Sequence, residues 1–592
     1  MINDLFEPNG IQVKYSIYAD DVAFWITHPN EMTAFRRTQF FLTDVVNWCK
    51  KWGLVLSPTK TVAMHIPPKI PFRRIETPNK LRINDIELAY VKSFNYLGIT
   101  IDSNLNFSEH FDNIKQKCAR RINILRCIAG KDWGADRTTL FQLYTSLIRP
   151  ILDYNAFLFD NIASQKIDSL QIIQNNALRI ITGAHRTTNV YNLHIEANIP
   201  TLERRRKLLL LRFYGRASSF PNSNTCRIIS IQTNNAPQNM QDKFPLISKR
   251  IEHALEEFQI TQLIISPAPP LTSFYLPEVT CVEFLFTNSK KQVTNVEVLQ
   301  LFREYANKHQ HFTFYYTDGS VANGRTAAAV VTPNHNRANR LHDYHSVYTA
   351  ELAAIHTALR EINKTNNKYN VICSDSAASL RAIQHKTYEK HNVVYRIKLL
   401  LAKQLQNNVQ TKLLWIPGHT NIPGNEKADR EAKNALNLPE RNTVAVPYQD
   451  FLTLLTKQFY KIRQHDWDNV RHYYLYPIKP KICHFTTSKQ DSRENERAIA
   501  RLRLGHTELT HGYLMDREPT PECQHCPPHT RYTVEHFLIH CPRHAHHRRH
   551  IARYTATHNI NTTLPVLLGD EHPELVKLVL KFLLDTRLIH NI

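Results

Sequence analysis

Phe312-Thr-Phe-Tyr-Tyr-Thr-Asp-Gly-Ser320 is the stretch on which the reading of this chain turns. Phe312 to Thr317 is aromatic and β-branched and predicts a strand. It delivers an acid, Asp318, followed by Gly319 and Ser320, which suit a turn. A carboxylate at the mouth of a buried strand is costly unless it is paired or bound to metal. Partners for it have to come from elsewhere in the sequence.

Three further acids follow, each on a recognisable element. Tyr348 to Leu359 is rich in helix formers, with Glu351 near its first turn and Leu352, Ile355 and Leu359 making an apolar stripe. Asn370-Val-Ile-Cys-Ser-Asp375 reads as a short buried strand ending in an acid. Leu413-Leu-Trp-Ile-Pro-Gly-His419 reads as another, broken by Pro417-Gly418 and delivering His419. Gly424-Asn-Glu-Lys-Ala-Asp429 reads as a helix start carrying the fourth acid.

Four carboxylates brought to one sheet edge repel one another and titrate upward. Hard divalent cations relieve that conflict, and carboxylate oxygens suit Mg²⁺ or Mn²⁺. Two such ions ~3.5–4 Å apart can activate a water and stabilise the leaving oxygen of a phosphodiester.

Taken in order, Thr317-Asp-Gly-Ser, Glu351, Ser374-Asp375 and Gly418-His-Thr-Asn-Ile-Pro-Gly-Asn-Glu-Lys-Ala-Asp429 resemble the type 1 ribonuclease H domain. The likeness runs over about residues 310 to 440. It implies a mixed five-stranded sheet with flanking helices, and Asp318, Glu351, Asp375 and Asp429 as metal ligands. It further implies that His419, on a mobile loop, assists proton transfer or product departure. The implied substrate is the RNA strand of an RNA–DNA hybrid, whose 2′-hydroxyls distinguish it from DNA.

Composition is compatible with this. The 592 residues are enough for several domains, and 42% are hydrophobic, enough for packed cores. The formal charge of +22 favours a polyanionic partner, nucleic acid first. Met1-Ile-Asn-Asp-Leu-Phe-Glu7 lacks the features of a signal peptide, and no long uninterrupted apolar run predicts a membrane span. Ten cysteines are too sparse for a disulfide scaffold. The expectation is an intracellular protein, nuclear or cytoplasmic and not secreted, with no membrane partner.

Ser16 to Ile26 places Asp20 and Asp21 at the tip of an expected hairpin. Tyr18-Ala-Asp-Asp21, an amphipathic helix from Phe41 to Trp52, and Ser93-Phe-Asn-Tyr-Leu-Gly-Ile-Thr100 follow in order. They resemble the reverse transcriptase palm of non-LTR (Jockey-like) retrotransposons. Two-metal nucleotidyl transfer needs another carboxylate from an earlier strand. Only 17 residues precede Tyr18, with Asp4 and Glu7 their sole acids, so the palm is expected to be truncated and DNA synthesis by this chain alone is not expected.

Residues 106–217 read as helices, with Ile114, Cys118, Ile122 and Leu125 at helical spacing, and resemble a thumb and connection region. The basic run Glu203-Arg-Arg-Arg-Lys207 suits either a duplex backbone or a solvated face. Residues 218–305 carry Pro- and Asn-rich runs and read as a linker. Lys386, Lys390, Arg396 and Lys398 are candidate phosphate contacts, or simply an exposed helix.

Near the C-terminus, Cys523-Gln-His-Cys526 with a later His and Cys541 offers four soft ligands suited to tetrahedral Zn²⁺. His536 is the expected third ligand, with His540 and His544 as rivals. The arrangement resembles the CCHC-like motif that follows the nuclease in such retroelements. His544 to His550 reads as a polar helical face, and Leu575 to Leu584 as a closing helix.

The domains expected are thus a palm remnant (1–105), a helical thumb or connection (106–217), a linker (218–305), the nuclease domain (306–440) and a helical tail with a zinc-knuckle-like motif (441–592). The expected function is Mg²⁺- or Mn²⁺-dependent endonucleolytic cleavage of RNA in RNA–DNA hybrids. The alternative is a catalytically decayed nucleic-acid-binding protein.

Overall fold

A computed structural model describes residues 13–67, 80–130, 133–159, 162, 164–230, 246–261, 263–270, 276, 279–285, 294–386, 390–439 and 445–592. Asp4, Glu7 and the Asn-rich run from Gln232 to Asn239 lie outside the described residues. The chain forms two compact units. One comprises residues 1–130, 139–152 and 162–177; the other comprises 131–138, 153–161 and 178–592.

In the first unit the expected hairpins are present. Lys14–Tyr18 pairs antiparallel with Asp21–Trp25, Tyr18 facing Asp21 across a two-residue turn in which Ala19 has φ 52°. Ser93–Tyr96 pairs with Ile99–Asp102 around Leu97-Gly98, both at positive φ as a tight hairpin turn requires. The Tyr96 hydroxyl donates to Ser16 Oγ at 3.1 Å. The helix Glu31–Lys51 buries Leu42, Val45, Val46 and Cys49 and is capped by Asn30. The helix Ser108–Ile128 buries the predicted set Ile114, Cys118, Ile122 and Leu125.

The second unit is built on a six-stranded sheet. Its strands are β1 (Val282–Phe284), β2 (Thr313–Ala322), β3 (Arg325–Val331), β4 (Asn336–Leu341), β5 (Tyr369–Ser374) and β6 (Gln410–Trp415). The order across the sheet is β4-β3-β2-β5-β6-β1; β2 to β4 run antiparallel, while β2, β5, β6 and β1 run parallel. The helices used below are α1 (Leu202–Ser218), α2 (Ile247–Glu257), α3 (Asn295–Lys308), α4 (Val347–Ile362), α5 (Ala377–Gln384), α6 (Asn392–Gln406), α7 (Pro423–Ala435), α8 (Tyr448–Asp468) and α9 (Arg493–Leu504).

The sheet has one strand more than expected. β1 comes from the stretch read as a linker, which also contributes α2 and α3. The polar runs around Ser218 and Gln232 led to the linker reading, although Val279-Thr-Cys-Val-Glu-Phe-Leu-Phe286 is itself apolar and β-prone and pairs with β6. One sheet face packs on α4, α5 and α6 through Leu352, Ile355, Leu359, Ile383, Val394 and Ile397. The other packs on α3 through Val298 and Phe302 against Phe312, Val371 and Leu414.

The region read as one helical thumb is divided between the units. From residue 178 onward it packs with the C-terminal part: Leu208, Leu210 and Leu211 of α1 share a core with Phe451, Leu455 and Phe459 of α8. The Arg493 guanidinium donates to the carbonyls of Ile180 and Ile181, and that of Arg501 to Gly183. The cations of the basic run on α1 are half-exposed and engaged in ion pairs. Arg204 pairs with Glu257 and Asp466, Arg205 with Asp153, and Lys207 with Glu203 and Glu257. Lys398 is buried, its ammonium donating to the His385 carbonyl at 2.8 Å, so it is no phosphate contact. Among the described residues no helix is long and apolar enough to cross a membrane.

Candidate active site

Asp318 does not end its strand. β2 continues through Gly319 and Ser320 to Ala322, with Asp318 facing Ala329, and the turn falls at Asn323-Gly324, both at positive φ. Gly319 is required for a different reason. A Cβ there would stand 2.6 Å from the Glu351 nitrogen and 2.9 Å from the Ala350 Cβ. Its absence lets α4 lie directly on the strand, so Glu351 reaches Asp318. Gly319→Ala is therefore expected to cost ~1–3 kcal/mol by overpacking and to weaken catalysis by pushing Glu351 away. Thermal melting and a hybrid-cleavage assay read the two effects; wild-type values in both would show that the close approach is unimportant.

α4 starts one residue earlier than expected, with the Ser346 side chain accepting from the Thr349 nitrogen, so Glu351 sits in its second turn. Asp375 follows the last residue of β5, where the β5–β6 ladder ends at Ser374 opposite Trp415. The carboxylate oxygens of Asp318, Glu351 and Asp375 lie within 4.8 Å of one another.

The electrostatics follow from that crowding. Burial, then the charges of Asp375 and Asp429, push the Asp318 carboxyl up to about 7. Burial, then Asp318 and Asp375, push Glu351 up to about 9. Glu351 Oε2 is buried with no hydrogen-bond partner. An orphaned carboxylate oxygen facing two other acids suits a divalent cation, whose charge would relieve their repulsion.

Asp429 and His419 are grouped differently. Together with Glu426 their ligand atoms lie within 4.8 Å of one another. His419 is exposed on the loop after β6, in the left-handed region at φ 56°, and Asp429 on α7 is held by Lys433 at 2.7 Å. Asp429 is still near enough for its charge to raise Asp318. Glu426 was not singled out from the sequence, although its place one helical turn before Asp429 was the available signal.

The C-terminal ligands also converge. Cys523, Cys526, His536 and Cys541 lie within 4.8 Å of one another, so among the three candidate histidines it is His536 that joins the cysteines. Cys523 Sγ to Cys541 Sγ is 3.8 Å and Cys526 Sγ to His536 Nε2 is 3.5 Å. Bonds of ~2.3 Å to sulfur and ~2.05 Å to nitrogen at tetrahedral angles give edges of ~3.75 and ~3.55 Å. The sulfur separation is far beyond the ~2.05 Å of a disulfide. The residues present thus fit zinc. His540 is outside, 3.8 Å from Glu535, and His544 is buried against Phe582 rather than on a polar helical face.

Asp318 on β2, Glu351 on α4 and Asp375 just beyond β5 thus form one acidic cluster on the mixed sheet. Residues 310–437 match the family described as RNase H, and residues 1–101 match the family described as reverse transcriptase (RNA-dependent DNA polymerase). The chain therefore carries a reverse transcriptase segment followed by a ribonuclease H domain, and its relatives are Jockey- and R1-type non-LTR retrotransposon proteins. It is 27% identical over 31% of its length to 20% of the "Probable RNA-directed DNA polymerase from transposon BS" of Drosophila melanogaster. It is 22% identical over 36% of its length to 22% of the "RNA-directed DNA polymerase from mobile element jockey" of the same fly. It is 28% identical over 26% of its length to 37% of the "Retrovirus-related Pol polyprotein from type-1 retrotransposable element R1 2" of Nasonia vitripennis. The chain spans about a fifth of the length of the first two of these curated relatives.

Proposed function

We propose that this protein is a divalent-metal-dependent endonuclease that hydrolyses the RNA strand of RNA–DNA hybrids, leaving a 3′-hydroxyl on the RNA. The observation that carries the proposal is the convergence of Asp318, Glu351 and Asp375, with a buried, unpartnered oxygen on Glu351. Asp318, Glu351 and Asp375 would hold Mg²⁺ or Mn²⁺, with Asp429 completing the set. Bound divalent cations supply an activated water and neutralise charge on the leaving oxygen. His419, exposed beside Asp429 and Glu426, would pass a proton to or from solvent. The net charge of +22 supports a polyanionic substrate.

The test is cleavage of an end-labelled RNA annealed to DNA, in Mg²⁺ and in excess chelator, beside single-stranded RNA and duplex DNA. Metal-dependent cleavage confined to the hybrid is expected. Binding of all three without cleavage would favour the decayed nucleic-acid-binding protein.

Asp20 and Asp21 are exposed at their hairpin, and among the described residues no group of three ligating side chains within 4.8 Å includes them. Because two-metal nucleotidyl transfer needs a carboxylate beyond these two, the expectation for the purified chain is no detectable primer extension; template-directed incorporation of deoxynucleotides would overturn it.

A further inference from the structure

Asp375 stands one residue beyond the end of the β5–β6 ladder. The register ends with Ser374 opposite Trp415, and the Trp415 side chain carries the hydrogen bonding one step further. Its indole N–H donates to the Asp375 carbonyl at 3.0 Å. The same carbonyl accepts from the Ala377 nitrogen at 3.2 Å, tying the start of α5 to the carboxylate-bearing residue. On the opposite side Gly418 backs the carboxylate so closely that a Cβ there would collide with Asp375 Oδ2. The Asp375 carbonyl is therefore held both from its own chain and by a side chain of the neighbouring strand.

That side chain is itself braced from outside the segment that matches RNase H. β1 adds to the sheet edge with Phe284 opposite Trp415, their ring centroids 6.1 Å apart. The Arg381 guanidinium, on the helix that follows Asp375, lies 5.6 Å over the other partner, Phe284. The chain Arg381–Phe284–Trp415–Asp375 thus closes on itself around the ladder end.

We propose that Trp415 is a positioning residue for the nuclease, fixing the Asp375 main chain through its indole N–H, and that β1 is part of the catalytic unit because Phe284 braces that indole. This rests on the nuclease reading above. Partners that orient metal ligands from behind are costly to remove, typically by 10–100-fold in metal affinity or activity.

Trp415→Phe deletes the donor and keeps a ring against Phe284. In the full chain, titrated calorimetrically with Mg²⁺ alone, its Mg²⁺ affinity is expected to fall about tenfold. In hybrid cleavage kcat is expected to fall by a similar factor, with KM for the hybrid within about twofold, and added Mg²⁺ is expected to restore part of kcat. Wild-type Mg²⁺ affinity and kcat in Trp415→Phe would overturn the proposal. Should that variant lack a cooperative melting transition, Phe284→Ala replaces it; a drop of about threefold in Mg²⁺ affinity is expected, and no drop overturns the bracing role. Asp318→Asn, titrated alongside, separates the two readings. If wild type binds and cleaves no better than Asp318→Asn, the nuclease reading falls and this one with it. If wild type exceeds Asp318→Asn but equals Trp415→Phe, only the role of the indole falls.

Discussion

Asp318→Asn is expected to abolish cleavage of the hybrid while making the metal-free protein more stable. Loss of a central ligand removes the several kcal/mol of transition-state stabilisation that bound metal supplies, roughly a thousandfold or more in rate. The gain in stability follows from the crowding of Asp318, Glu351 and Asp375. An acid whose folded-state pKa is raised binds more protons folded than unfolded. Its contribution to stability is full below its unfolded value of ~4 and is lost as pH climbs through the folded value. For Asp318 that window closes at about 7 and for Glu351 at about 9. Metal-free protein should therefore melt at lower temperature at pH 8 than at pH 6, and Asp318→Asn should reduce that difference. Because metal displaces protons from its ligands, Mg²⁺ should raise the midpoint more at pH 8 than at pH 6. Calorimetric melting with and without Mg²⁺ measures both. A variant that is less stable than wild type at pH 8, or one that still cleaves, would show that these acids do not share a site.

Zinc removal should have the second large effect. Reduced, purified protein is expected to carry one zinc per chain. A chelator, or Cys526→Ser, is expected to disorganise the segment around Cys523 and Cys541. Apart from the metal, that segment is held by the bridge between Glu522 and Arg531, by backbone bonds such as Cys541 N–H to the His536 carbonyl at 2.7 Å, by the Arg548 guanidinium on the Phe537 and Cys541 carbonyls, and by burial of Phe537 and Leu538. Structural zinc contributes on the order of 10 kcal/mol to small modules of this kind, more than a whole domain's usual margin of 5–15 kcal/mol can spare easily. Disruption should spread, because His544 packs on Phe582 of the closing helix Pro573–Asp585. Metal content by emission spectrometry and limited proteolysis before and after chelation test this. Zinc-free protein with an unchanged proteolytic pattern would show the four side chains to be a fortuitous cluster.

The acids of the candidate site were legible because each sits where a strand or helix pattern delivers it, and their order resembles that of a known domain. Asp318, Glu351 and Asp375 come together as that likeness implied. Asp429 joins more loosely, grouped with His419 and Glu426 and paired with Lys433, which an acid on the first turns of a helix can do without any other strand. Gly319 was misread as a turn residue because a glycine demanded by a neighbouring helix has the same local appearance as one demanded by a turn. The cations of α1 were ambiguous for a similar reason, since their partners Asp153, Glu257 and Asp466 lie far along the chain.

Periodicity and residue chemistry, read along the chain alone, pointed to most of the elements, to the acids and thiols that the fold brings together, and to a basic chain suited to a polyanion. Those properties depend on neighbours within a few residues. Folding alone decided which of three histidines meets the cysteines, that residues 282–284 complete the nuclease sheet, and that an indole from the adjacent strand holds Asp375. Each of these depends on contacts between segments separated by tens to hundreds of residues, which no local pattern encodes.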